Sequence, residues 1–280
     1  MAPRKLVTMR EIEGLRGIRG PHEEELSDLA ADAVVTFRQV PRDAARLSHW
    51  VAEVGARLEP LERGEEWALA KEMFPGVVVH VAYQYYGDEF GPGEEDAVEV
   101  LFSGERAGWV PGEDLASFVE VLLGALRRAA PGAPENPPEL ASTWDGVPSP
   151  MLARALAERA EPFRLLDSGH WDALARFLGG RRLPGDPPVV RWSPLPKISL
   201  RFWVEPEGGV GHGIDGPRVE RHPRYDVERL LVLGVNHALR FVKVTLAGEG
   251  VDLPAIVEQM FSGSYKSAHP DQFERAPLGP

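Results

Sequence analysis

The alternation of apolar and polar side chains marks two strands. Val77, Val79, Val81 and Tyr83 alternate with more polar positions, and Ile198, Leu200, Phe202 and Val204 alternate with Lys197, Ser199, Arg201 and Trp203. A period of two sends one set of side chains into a core and the other to the far face of a sheet. Downstream of each strand the period lengthens. Leu115, Phe118, Val119 and Leu126 share the i, i+3, i+4 spacing of one helix face, as do Val227, Leu230, Leu231 and Ala238. Both helical stretches follow a Pro-x-x-Asp sequence, Pro111 to Asp114 and Pro223 to Asp226, and each Asp is predicted to cap its helix by accepting from a free backbone amide.

These stretches read as copies of one another. At an offset of 121, His49-Trp50-x-Ala52 matches His170-Trp171-x-Ala173, Gly64-Glu65 matches Gly185-Asp186, Phe74-Pro75 matches Leu195-Pro196 and Val98-Glu99 matches Val219-Glu220. From Pro111 and Pro223 onward the offset is 112, as though nine residues of the Leu101 to Trp109 region were missing from the second copy. The inward positions of strand and helix keep phase in both copies. The predicted fold class is therefore α+β, with two tandem related modules, each a small, mainly antiparallel sheet with helices on one face.

Six prolines between Pro131 and Pro150 interrupt any helix or central strand and read as a linker. Ser149 is placed to cap, and Pro150 to open, a helix through Ala160. The expected layout is a first module over 1–130, a linker over 131–150, a second module over 151–262 and an extended tail over 263–280.

The net charge of −12 repels phosphate backbones at long range, and the 31 basic residues are scattered, so nucleic acid is disfavoured as a partner. Cysteine is absent, which removes disulfides, thiol nucleophiles and thiolate metal sites. No continuous run of 18 apolar residues occurs and Met1 to Gly20 lacks the apolar segment of a signal peptide, so a cytoplasmic location and no membrane partner are expected.

Candidate chemistry centres on histidine. His212, Asp215 and His222 lie within eleven residues of a glycine-rich segment and could ligate a divalent metal such as zinc, although no His-Glu-x-x-His spacing accompanies them. His80 is placed on the polar face of its strand, near Gln84 and Asp88-Glu89, where it could act as a general base or stand on an ordinary exposed face. His49 and His170 beside tryptophans read as packing devices. The Gly208-Gly209-Val210-Gly211 run lacks the following helix of a nucleotide site, and no Gly-x-Ser-x-Gly elbow occurs. Ser262 to Lys266 reads as a loop. The function expected first is a non-catalytic accessory, adaptor or inhibitor-like protein without a cofactor, binding another protein or itself. The alternative is a metal-assisted hydrolase built on the His212, Asp215, His222 cluster.

The residues Phe74-Pro75, Gly87-Asp88-Glu89-Phe90 and Pro111-Gly112-Glu113-Asp114-Leu115 together resemble the pattern of an uncharacterised bacterial family of unknown function. The second module keeps Gly185-Asp186, Leu195-Pro196 and Pro223 to Asp226 but has Gly208-Gly209 in place of the acidic turn. The resemblance covers about half the chain. It implies the fold and carries no activity, cofactor or catalytic residue.

Overall fold

The computed structural model describes residues 5–15, 19–40, 43–87, 96–133, 143–144, 146–206 and 208–260. The protein is α+β, and its contacts separate it into two compact units, Met1–Glu135 and Asn136–Pro280. The first unit runs α1 (Met9–Glu13), α2 (Pro21–Gln39), α3 (Ala44–Ala52), β1 (Arg57–Leu58), β2 (Trp67–Phe74), β3 (Val77–Gln84), β4 (Ala97–Ser103), a 3-10 turn (Ala107–Trp109) and α4 (Gly112–Ala129). The second runs β5 (Thr143–Trp144), α5 (Pro150–Phe163), α6 (Ser168–Phe177), β6 (Arg181–Leu183), β7 (Val189–Trp192), β8 (Ser199–Val204), β9 (Val210–Asp215), a 3-10 turn (Val219–Arg221), α7 (Arg224–Gly248) and α8 (Ala255–Met260). Both sheets are antiparallel, in the orders β1-β2-β3-β4 and β5-β9-β8-β7-β6.

The two units repeat one another at the level of single bonds. Asp43 caps α3 by accepting from the Arg46 amide at 3.0 Å, and Asp167 caps α6 by accepting from the His170 amide at 2.9 Å. Both helices end in the same left-handed glycine closure. Gly55 has φ 68° and Gly179 φ 70°, and the following amides, Ala56 and Gly180, donate to Val51 and Ala175 at 3.1 and 2.8 Å. In the sheets Ala70 faces His80 and Arg191 faces Arg201, while His80 faces Leu101 and Arg201 faces Gly213. Beyond them, the Arg106 amide donates to the Gly76 carbonyl at 3.0 Å and the Arg218 amide to the Lys197 carbonyl at 3.4 Å. Even the outer edge recurs, since Val7 bridges Phe102 and Trp144 pairs with Ile214.

These pairings correct several details of the expected alignment. The offset is 124 through α3/α6 and the first strand, 121 across the two middle strands and 112 from the last strand onward. Trp50 and Trp171 consequently sit one helical turn apart, the seventh residue of α3 against the fourth of α6, with both indoles buried. The nine extra residues of the first module fall between β3 and β4, because Leu101 to Ser103 are already in step with Gly213 to Asp215. Val98-Glu99 is strand while Val219-Glu220 is a 3-10 turn, so that match does not join equivalent residues. Asp114 and Asp226 do not occupy the cap position. Pro111 and Pro223 do, and the carboxylates lie in the first helical turn, where free amides still favour negative charge. Thr143-Trp144, inside the proline-rich stretch, forms a strand at the sheet edge. Ser149 caps α5 and Pro150 is its first residue, but the helix runs to Phe163 through Pro162.

One face of each sheet packs an aromatic cluster against the helices. Phe37 of α2, Trp50 of α3, Trp67 of β2 and Tyr83 of β3 meet at centroid separations of 5.0–6.1 Å, and the Trp50 indole donates to the Leu126 carbonyl at 3.0 Å. Phe163 of α5, Trp171 of α6, Trp192 of β7 and Phe202 of β8 form the counterpart at 5.4–6.2 Å. Each such pair contributes about 0.5–1.5 kcal/mol beyond the area it buries. Val79 and Leu200 occupy the matching central positions, both fully buried. α7 is long and apolar enough to cross a membrane by length and composition, with a mean hydropathy of 1.4 over its best window, but 78% of that window is buried inside the protein. Its polar residues interrupt any continuous apolar run, as in the core helix of a folded domain.

Candidate functional site

Like charges line up across the second sheet. β6, β7, β8 and β9 set Arg181, Arg191, Arg201 and Gly213 directly opposite one another. Side chains alternate along a strand, so this line lies on the face away from Phe202, Leu200 and the helices. Neighbouring strands are about 4.8 Å apart, which brings three guanidinium stems within about 10 Å. Like charges opposite one another in a sheet destabilise it by roughly 0.2–1 kcal/mol per pair. The fold does not require them. At the matching positions the first sheet carries Arg57, Ala70, His80 and Leu101, a single cation followed by a buried row.

One carboxylate answers the arginines. Asp215 Oδ1 lies 3.1 Å from Arg191 Nη2 and Asp215 Oδ2 lies 3.0 Å from Arg201 Nε, so each oxygen meets a different guanidinium. Arg191 Nε also donates to Ser199 Oγ. Arg181 is exposed and has no carboxylate partner among the described residues. Three arginines against Asp215 leave the row itself at about +2, with Glu205 flanking it at Trp203, in a chain whose net charge is −12.

Glycine shapes the floor. A Cβ at Gly213 would run into the Arg201 guanidinium, and one at Gly211 into the Trp203 indole. Both side chains therefore lie down across β9, and the half-buried Trp203 forms a flat plate beside the arginines, its indole donating to Glu205 at 3.0 Å. Next to the row, Gly179, Gly180, Arg181, Arg191, Trp192 and Ser193 line a cavity of about 410 Å³. The amides of Gly179 and Gly180 are already used in closing α6, donating to Arg176 and Ala175.

The histidines are distributed differently from the expected cluster. His212 and Asp215 are three residues apart on β9 and so point to opposite faces: Asp215 joins the arginines, whereas His212 turns toward the helices. The His212 ring lies 5.3 Å from Trp144, which is itself covered by Arg224 at 4.8 Å. His222 closes the 3-10 turn after β9. Among the described residues no three His, Asp or Glu side chains converge as a metal would require.

His80 is fully buried, not on an exposed face, with Nε2 2.7 Å from Ser103 Oγ and Nδ1 3.8 Å from Glu59. Its place in the first sheet is that of Arg201 in the second, and Ser103 stands where Asp215 does. His49 is exposed within 4.0 Å of Glu53. His170 completes the capping box of α6, its Nδ1 accepting from the Asp167 amide at 3.3 Å, and its Nε2 lies 3.0 Å from Glu249 Oε1. Asp88, Glu89 and the Ser262 to Lys266 segment lie outside the described residues.

Sequence reasoning missed Arg181, Arg191 and Arg201 because they are ten residues apart on three strands and look scattered. The usable signal was in the alternation itself, since Arg201 and Trp203 occupy the outward phase of β8 and Gly211 and Gly213 the outward phase of β9. Set against protein-family models, curated proteins and solved structures, the chain matches none of them.

Proposed function

We propose that the protein is a non-catalytic binding protein, an accessory, adaptor or inhibitor-like component that grips an acidic stretch of a partner protein with the arginine row of its second sheet. The observation that carries this reading is the row itself: cross-strand Arg181, Arg191 and Arg201, with Asp215 as the one carboxylate paired with them among the described residues. Its repulsion weakens the sheet and the matching row of the first module does without it. A cost to stability that the architecture does not demand marks a place kept for recognition. Arginine and tryptophan are also the residue types that dominate binding hot spots, and Trp203 lies beside the row. Guanidinium forks favour carboxylate and phosphate oxygens in bidentate geometry. The acidic remainder of the surface repels acidic partners at long range, so binding depends on short-range fit at this patch and weakens as salt rises.

The test uses the first module as a template. Arg191→Ala, Arg201→His and Asp215→Ser together install the residues found at 70, 80 and 103, a set already compatible with this fold. Affinity purification from the native host, read by mass spectrometry, is expected to recover a partner with the wild-type chain and about tenfold less of it with the folded triple variant. Equal recovery with both chains would overturn the reading.

A further inference from the structure

We infer that the open cleft lined by Arg181 and Arg191 is a phosphate seat, and that the partner segment held by the second sheet carries a phosphorylated side chain. This rests on the binding function proposed above and goes further by naming the chemical group recognised.

The sheet already contains one worked instance of how its arginines hold an oxyanion. Between Arg191 and Arg201 the Asp215 carboxylate accepts a hydrogen bond from Arg191 at 3.1 Å and makes an ion-pair contact with Arg201 Nε at 3.0 Å. The neighbouring interval, between Arg181 and Arg191, is built by the same cross-strand pairing, and there the two arginines border a cavity of about 410 Å³. That volume exceeds a phosphate group severalfold, which leaves room for the side chain that bears it. Ser193 adds a hydroxyl to the wall. Arg191 uses Nε toward Ser199 and Nη2 toward Asp215, on the β8 and β9 side, and these contacts leave part of its five-donor fork unused, so an anion between it and Arg181 would draw on those donors by a turn of the side chain.

Charge selects among oxyanions. With Asp215 counted, the row retains about two positive charges, which a phosphate monoester near its dianionic form neutralises and a single carboxylate does not. The glycine amides at the cavity rim are taken up in the α6 closure, so the recognition falls to the side chains. This arrangement is confined to the second module. At the positions of Gly180 and Arg191 the first has Ala56 and Ala70, and it keeps only Arg57 of the pair.

The experiment titrates the full chain with inorganic phosphate, with a short phosphoserine peptide, and with the same peptide carrying serine or glutamate, all at constant ionic strength, by calorimetry and 31P NMR. Saturable binding is expected for phosphate and tighter binding for the phosphoserine peptide, with the glutamate and serine peptides weaker by about tenfold or more. Arg181→Ser, at an exposed position without a carboxylate partner among the described residues, is expected to lower phosphate affinity by about tenfold while leaving the melting temperature in phosphate-free buffer unchanged or slightly raised, since it also relieves the repulsion with Arg191. Absence of saturable phosphate binding up to about 10 mM overturns the seat. So does equal affinity in the Arg181→Ser chain, or a preference for the glutamate peptide. If the seat fails while partner recovery still depends on Arg191, Arg201 and Asp215, the broader binding function stands; if phosphate binds and recovery ignores those residues, that function falls instead.

Discussion

Two buried charges in the first module show how differently one fold treats a cation and an anion. Lys71 is buried on the helix-facing side of β2, opposite Val79, at the place occupied in the second module by Trp192. Burial lowers its pKa from 10.5 to about 8, against a smaller opposing pull from Glu72. A lysine with a lowered folded pKa binds fewer protons folded than unfolded, so stability is reduced below about pH 8 and recovers as pH rises toward 10.5. Lys71→Met is expected to raise stability at neutral pH by about 1–3 kcal/mol and to abolish that alkaline rise, read by denaturant titration across pH.

Asp96 behaves in the opposite sense. Burial alone would push its carboxyl up, but hydrogen bonds from Tyr83, Arg38 and the Tyr86 amide together hold it below the ordinary value. Its contribution is therefore present above the unfolded pKa and is lost as acid carries the pH down through the folded one. Asp96→Asn is expected to cost about 1–3 kcal/mol in chemical denaturation near pH 7 and to flatten the acid limb. Neither group stood out in the sequence, because a single Lys in a strand carries no spacing signal and Asp96 ends the acidic run Glu94-Glu95-Asp96 that reads as a solvated turn; only the fold supplies their surroundings.

At the scale of elements, the hairpin from β2 to β3 and its copy from β7 to β8 are each locked to the turn that follows the last strand. Gly76 at φ 77° and Lys197 at φ 63° occupy the same left-handed position after a proline, and the carbonyls of both accept from the incoming turn. A Cβ at Gly216 would collide with the Lys197 carbonyl, as one at Gly104 would with the Gly76 carbonyl. Gly216→Ala is expected to destabilise the protein by about 2 kcal/mol or more, since both the close approach and the positive φ of 134° oppose a side chain, whereas Lys197→Gly should be neutral or stabilising. Thermal melts of the two variants check the pair. Strand phase and helix phase were legible in the sequence because alternation and i, i+3, i+4 spacing survive divergence. Helix starts were less so: an aspartate in the first turn and one at the cap look alike in sequence, and the proline ahead of each decided where the helix begins.

Over the whole chain, repetition of a topology was legible from apolar phase, while its true alignment was not. Matching the two His-Trp pairs aligned residues one turn out of step, because a buried tryptophan fills a core equally well from adjacent turns of a helix. The arginine row stayed hidden for a related reason: composition reported an acidic protein with dispersed basic residues, and only the cross-strand register gathers three of them. The His212, Asp215 and His222 grouping met the reverse fate, since closeness along a strand sends odd-spaced neighbours to opposite sides. Having two copies of one scaffold changes what mutation can reach. Where the first copy seats His80 against Ser103 in a sealed interior, a new side chain there endangers folding itself; where the second sets Arg201 against Asp215 on a half-covered surface, a substitution alters what the patch can hold and leaves the core intact. Rewriting a few positions in the second half could thus retarget this protein without disturbing the interior of the first.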